Sequence, residues 1–312
     1  MATTTTVPPY RHFHGEAHVL SGHLQRPIEQ RIEKHAEIVL RDQKDGHLTR
    51  FTEEVDIEGL VSFKSGRTRV SGSRSLKNDP KNHGFVTVAT SVVEGLSVFE
   101  VITVDRVVAQ VSTDYPVDSG RKSKDGQTES ANFPHVTFLG SHFDNVRVNG
   151  GLLTLKLNLG IVGEREGDTS YLSHRSFLDR AREQTKKIAN AKDLPEDLRR
   201  VFADRLKAFD NLKGSREPKV TFSIVESIDN LDAIPIPGAK VVGHVLILPQ
   251  FGTVSLGEVN VSEVLNEGSD IPSNYFELNM LQINLGCVGH GTVTGAVAAA
   301  NGGKGPPRPS GN

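Results

Sequence analysis

Phe85-Val-Thr-Val-Ala-Thr-Ser-Val-Val93, and after Glu94-Gly95 the run from Val98 to Val111, decide the fold class. Both runs are dense in β-branched residues, which suit a pleated, half-buried surface. Glu94-Gly95 reads as the break between two strands. Upstream, Ile28, Gln30, Ile32, Lys34, Ala36, Ile38 and Leu40 form one mostly apolar set, and Glu29, Arg31, Glu33, His35 and Glu37 a polar one. A helix mixes those sets; a strand separates them, so residues 28–40 are predicted to be one strand. Phe51, Glu53, Val55 and Ile57 predict another. Strand pattern returns at Val136–Leu139, Val146–Val148 and Leu152–Leu159, and again at 220–225, 241–248, 253–261, 276–285 and 292–299. Pro116–Ala131 reads as a long polar loop.

A period of 3.6 interrupts the strands between Ser173 and Gly214. Asp193-Leu-Pro-Glu196 has the form of a helix start, with Asp193 as N-cap. Leu194, Leu198, Val201, Phe202, Leu206, Phe209 and Leu212 then share one face, and Gly214 is a suitable stop. The preceding helix carries Phe177, Leu178, Ala181, Ile188 and Ala189. The remaining positions are largely charged. Two readings follow: a charged helical hairpin covering the β body, or a docking arm whose partner-binding residues are Phe202, Leu206 and Phe209.

Leu152-Leu-Thr-Leu-Lys-Leu-Asn-Leu-Gly160 echoes Leu278-Asn-Met-Leu-Gln-Ile-Asn-Leu-Gly286. The expected fold is therefore mainly β, sandwich or jelly-roll-like, with two similar β units joined by the hairpin. The divisions are an N-terminal arm and first strand (1–25), a first β unit (26–165), the hairpin (173–214), a second β unit (218–300) packed with the first, and a disordered Gly/Pro tail (301–312).

Thr90-Ser-Val-Val-Glu-Gly-Leu96, Ile102-Thr-Val-Asp-Arg-Val-Val-Ala109, Leu139-Gly-Ser-His-Phe-Asp-Asn145, Gly252-Thr-Val-Ser-Leu-Gly-Glu258 and Leu278–Cys287, closing on Asn301-Gly302, carry a resemblance. Over about residues 84–160 and 238–302 the chain resembles a family of uncharacterised bacterial β-rich proteins. The resemblance implies a bacterial, β-rich protein and transfers no catalytic residue.

Composition narrows the function classes. The 312 residues carry a formal net charge of −2, so no global basic field attracts nucleic acid or acidic lipid. Trp is absent and Tyr numbers 4, which disfavours stacking platforms for sugars or single strands. A single cysteine, Cys287, makes no intramolecular disulfide. No apolar run reaches a membrane span and the first residues lack a signal-peptide pattern, so a cytoplasmic setting is expected.

Several clusters are chemically suggestive. His142-Phe-Asp144 on a strand puts two ligands on one face, and with His244 or His290 it would complete the two-histidine, one-carboxylate set of non-haem iron enzymes. A turn is the plainer reading of Ser141-His-Phe-Asp-Asn145. His12, His14 and Glu16 share strand parity; His18 and His23 follow, and an exposed polar strand is the plainer reading. Gly289-His-Gly-Thr-Val-Thr-Gly295 imitates a subtilisin-type histidine motif, but only Ser310 follows it, in the tail. Cys287 ends a strand as a buried thiol. Arg67, Arg69, Arg74, Lys77 and Lys81 form one basic hairpin. No catalytic residue is assigned and no cofactor is specified. The expected function is non-enzymatic binding or structural, through a protein partner or a homo-oligomer. The alternative is a metal-dependent jelly-roll enzyme using His142 and Asp144.

Overall fold

The computed structural model describes residues 11–42, 46–76, 83–122, 128–164, 166–192, 194–264, 273–286 and 289–304. Strands β1 (Arg11–Arg26), β2 (Gln30–Ile32), β3 (Ile38–Asp42), β4 (Gly46–Thr52), β5 (Val55–Ile57), β6 (Val61–Phe63), β7 (Ser65–Leu76), β8 (His83–Val98) and β9 (Ile102–Tyr115) come first. Then follow β10 (Val117–Lys122), β11 (Thr128–Ser130), β12 (His135–Thr137), β13 (His142–Val148), β14 (Gly151–Leu152) and β15 (Thr154–Leu157). Two helices, α1 (Arg175–Ala189) and α2 (Glu196–Asp210), separate these from β16 (Lys219–Ser223), β17 (Val225–Asp229), β18 (Lys240–Val242), β19 (Val245–Leu248), β20 (Gly252–Val264), β21 (Ser273–Leu285) and β22 (His290–Lys304).

The protein is mainly β and sandwich-like. One nine-stranded antiparallel sheet runs β18-β19-β20-β21-β22-β1-β2, with β16 on β20 and β3 on β1. The other runs β14-β13-β9-β8-β6-β5, with β12 on β9 and β7 joining β8 to β4. β1 and β22 of the first sheet face β7, β8 and β9 of the second. Their inner side chains form one core, with Phe13, Phe63, Leu96, Phe138, Phe276 and Leu281 almost fully buried. The sheets are not successive halves of the chain: β1–β3 lie in the same sheet as β18–β22.

A line of phase reversals crosses each sheet. In β1 the inward residues are Phe13, Ala17 and Val19, then Leu20 and Leu24. In β21 they are Phe276, Leu278 and Met280, then Leu281, Ile283 and Leu285. In β20, Val254 and Leu256 give way to Val259 and Val261. The reversals fall in register, because Leu20 pairs Gly295, Gly295 pairs Leu281 and Leu281 pairs Leu256. Left-handed residues sit on these lines: Gly257 (φ 61°) and Ala296 (φ 50°) in the first sheet, Gly95 (φ 63°) and Asn145 (φ 52°) in the second. A left-handed residue resets the period of two without ending the strand.

This geometry corrects several expectations. Gly95 does not end a strand: β8 continues to Val98, with Leu96 returned to the core. The turn comes at Phe99-Glu100, both at positive φ (52° and 53°). The strand predicted over 28–40 is two short strands, β2 and β3, both paired with β1. The chain bulges between them, with Ala36 at φ 48°. The polar segment 116–131 carries the two-stranded β10–β11 ladder instead of running as a simple loop. The echoed segments occupy unequal places: Leu152–Leu157 lies in short strands with mostly exposed or half-buried side chains, while Leu278–Leu285 lies mid-sheet in the core. Asp193, Cys287, Lys77, Lys81 and the tail beyond 304 lie outside the described residues, as do the side chains of His12 and Arg74.

α1 and α2 pack on each other and on β16. Phe177 and Ala181 join the main core; Ile188, Leu194, Phe202 and Val245 form a separate cluster beneath α2. The helices therefore cover part of the first sheet. Pro195 occupies the position before α2, and among the described residues no side-chain capping hydrogen bond is made there.

Candidate functional site

The helix-covered corner holds a buried polar cluster. Gly257 shifts the phase of β20, so Glu258 points out of the sandwich, beneath α2. The Arg205 guanidinium donates to both Glu258 oxygens, at 2.7 and 3.0 Å. His244, in the turn between β18 and β19, donates from Nε2 to Glu258 Oε1 at 2.9 Å. Side-chain exposure is 3% for Glu258 and 2% for His244. Burial by itself pushes the Glu258 carboxyl up; the hydrogen bond and charge of His244, and then those of Arg205, outweigh it and hold the group well below the usual carboxylate range. His244 Nδ1 is buried without a hydrogen-bond partner among the described residues. Phe202 closes the cluster, 4.8 Å beneath the Arg205 guanidinium and edge-on to His244 at 6.0 Å. The cluster ties α2 to β20 through a buried ion pair.

Next to it lies an open groove of about 920 Å³ between the start of α1 and the end of α2. Leu178, Phe209 and Leu212 supply apolar surface, all half-buried. Arg182 and Asp210 bridge the helices at 2.7 Å, and Arg175 pairs with Asp179 at 3.7 Å. Lys213 and Arg216 are exposed on the rim and have no ion-pair partner among the described residues. Glu263 forms part of the wall, held by Ser170, whose hydroxyl also accepts from Asn274 Nδ2 at 2.9 Å. The volume lies within the usual range for small-ligand sites, and the lining mixes apolar area with a few charges.

The residues proposed from sequence separate here. Phe202 is 1% exposed, so it is a cover residue and no free contact for a partner. Phe209 lines the groove, and Leu206 lines a smaller neighbouring depression. His142 and Asp144 share one face of β13, 3.7 Å apart and about half exposed. His142 Nδ1 also contacts the Gly140 carbonyl at 2.8 Å. His244 is not brought to them; it sits on the other sheet and spends Nε2 on Glu258. Among the described residues no three His, Cys, Asp or Glu side chains are grouped to hold a metal. His14 and Glu16 do meet, at 2.7 Å, with Arg41 2.9 Å from Glu16. That hydrogen bond from His14, opposed by burial and reinforced by Arg41, lowers the Glu16 carboxyl to about 2. His18 is lowered to about 4, chiefly by burial and then by the Lys34 charge. Arg67 and Arg69 lie exposed on β7, with Arg67 6.0 Å from the Phe51 ring.

Reasoning from sequence missed Arg205, Glu258, Lys213 and Arg216. One signal was available. Glu258 stands in a strand with apolar residues on both faces, where an acid must find a buried partner. Which cation answers it depends on how α2 is laid across β20.

Fold and corner together define a helix-capped β-sandwich protein with a groove at the helix ends. The chain belongs to the family described as a domain of unknown function (DUF8256), which matches residues 11–262. No curated protein matches. An active-site mutant of outer membrane phospholipase A from Escherichia coli aligns over 96% of this chain and 94% of its own, at 9% identity and a TM-score of 0.15; an overlay that poor supports no inference about fold or function. The matched residues span both helices. They stop before β21 and β22, which nevertheless sit between β20 and β1. No described helix is long and apolar enough to cross a membrane.

Proposed function

We propose that this chain is a non-enzymatic binding protein whose ligand surface is the groove at the helix ends. The supporting observation is the juxtaposition of Lys213 and Arg216, unpaired among the described residues, with the half-buried Leu178, Phe209 and Leu212. Apolar area beside free cations favours a ligand with an apolar body and an anionic group. The test uses anilinonaphthalene sulfonate, a probe with that chemistry. Its fluorescence should rise saturably with the wild type and lose most of that rise in Lys213→Glu/Arg216→Glu and in Phe209→Ser, with folding checked by circular dichroism. Equal enhancement in all three proteins would overturn the reading. The competing proposal, a metal-dependent enzyme, has the His142–Asp144 approach in its favour. Stoichiometric iron or zinc in the purified protein, lost in His142→Ala, would reverse the preference.

A further inference from the structure

β4 is the longest strand with a single neighbour among the described residues. It pairs with β7 from Gly46 to Thr52, and no described strand takes its other edge. The other single-neighbour strands of the two large sheets have two to five residues, and β16 among them lies beneath the helices. Strands of a sandwich ordinarily bury one face. β4 buries neither: His47, Leu48, Thr49, Arg50 and Phe51 are all exposed, Phe51 at 73% and Leu48 at 39%. His47, Thr49 and Phe51 share one face, where Thr49 Oγ1 lies 3.1 Å from His47 Nε2, and Leu48 and Arg50 share the other. A long unpaired edge presents a row of free backbone donors and acceptors, and an exposed aromatic ring beside it adds apolar area to whatever pairs there.

We infer that β4 pairs antiparallel with β4 of a second copy of this chain, about a twofold axis through Thr49. The strand is self-complementary in that register. Thr49 faces Thr49 of the second copy, a favourable cross-strand pair. His47 faces Phe51 and Phe51 faces His47, which places a ring opposite each exposed ring. Arg50 faces Leu48, so no like charges stand opposed. Such a twofold contact closes on itself and ends at a dimer. Seven residues make a small interface, so the dimer exchanges readily and depends on concentration. This inference is independent of the groove.

Sedimentation equilibrium across a wide concentration range tests it. The wild type should pass from monomer to dimer. Thr49→Lys and Thr49→Glu each place like charges across the axis and should each weaken dimerisation by about tenfold or more, since like charges directly opposite are destabilising. Both sit on an exposed position, and their monomer melts should match the wild type. Mixed in equal amounts, the two variants should form a heterodimer about as tight as the wild-type dimer or tighter. A wild type that stays monomeric, a dimer indifferent to both substitutions, or a mixture that fails to recover would each overturn the pairing. Dimerisation abolished by Phe209→Ser but kept in Thr49→Lys would place the contact at the groove instead and overturn it as well.

Discussion

Truncating Phe202 to alanine isolates what holds the helices to the sandwich. The ring is 1% exposed and sits with Ile188, Leu194 and Val245 in a cluster separate from the main core. Losing a fully buried aromatic removes its transfer free energy and leaves a cavity, together about 3–5 kcal/mol. The Arg205 guanidinium, 4.8 Å from the ring, adds a cation–π contact worth about 0.5–2 kcal/mol. That contribution overlaps the cavity cost, so the expected loss is about 4 kcal/mol. Urea unfolding followed by circular dichroism measures it, since the chain has no Trp to report by fluorescence. Because the cluster is a satellite, the loss could take either of two forms. The whole transition could shift, or helical signal could disappear at lower urea while the sheet signal persists, as for a separately unfolding unit. Both mean that Phe202 anchors α2. Val201, its neighbour, is 45% exposed and provides the control: Val201→Ala should stay within about 0.5 kcal/mol. If Phe202→Ala also stayed within that margin, with helical signal intact, the reasoning would be refuted and α2 would not be a cover.

Two further outcomes are expected. His18 falls from an ordinary value of 6.5 to about 4 in the folded chain, so below pH 6.5 the unfolded chain binds the proton first. Stability from the neutral imidazole is complete above that pH and declines by about 3 kcal/mol as pH drops toward 4. His18→Gln should flatten the fall in urea midpoint between pH 6.5 and 4.5; an unchanged slope would count against burial as its cause. Deleting everything after Ser262 removes β21 and β22, along with the buried Phe276, Leu278, Ile283 and Val293. It also strips partners from β1 and β20. The remaining 262 residues should show no cooperative melt although they span the family match, and a native-like transition in that fragment would contradict the central place given to β22.

The fold class, the two helices and the apolar stripes that carry Phe177, Ile188 and Phe202 could be read from the chain, because period and side-chain chemistry are local properties; that Phe202 is buried and not a docking contact could not. Phase could not. Glu94-Gly95 looks like a strand end because a glycine at positive φ is ordinarily a turn; here it continues the strand and exchanges its faces. Whether such a residue turns the chain or only shifts its phase depends on neighbouring strands keeping their hydrogen-bond register across it. The same ambiguity hid Glu258, whose side is decided by Gly257, and the partnership of His244 with that carboxylate instead of with His142 and Asp144. Edge status was likewise invisible. β4 has an ordinary strand composition, and only the assembled sheet shows that nothing described covers its second side. The sequence by itself determined the fold class, most of the strand segments, the two helices and which side chains seek burial. Only the tertiary structure decided which strands meet, which face each presents and which charges become neighbours, because those are properties of contacts between residues far apart in the chain.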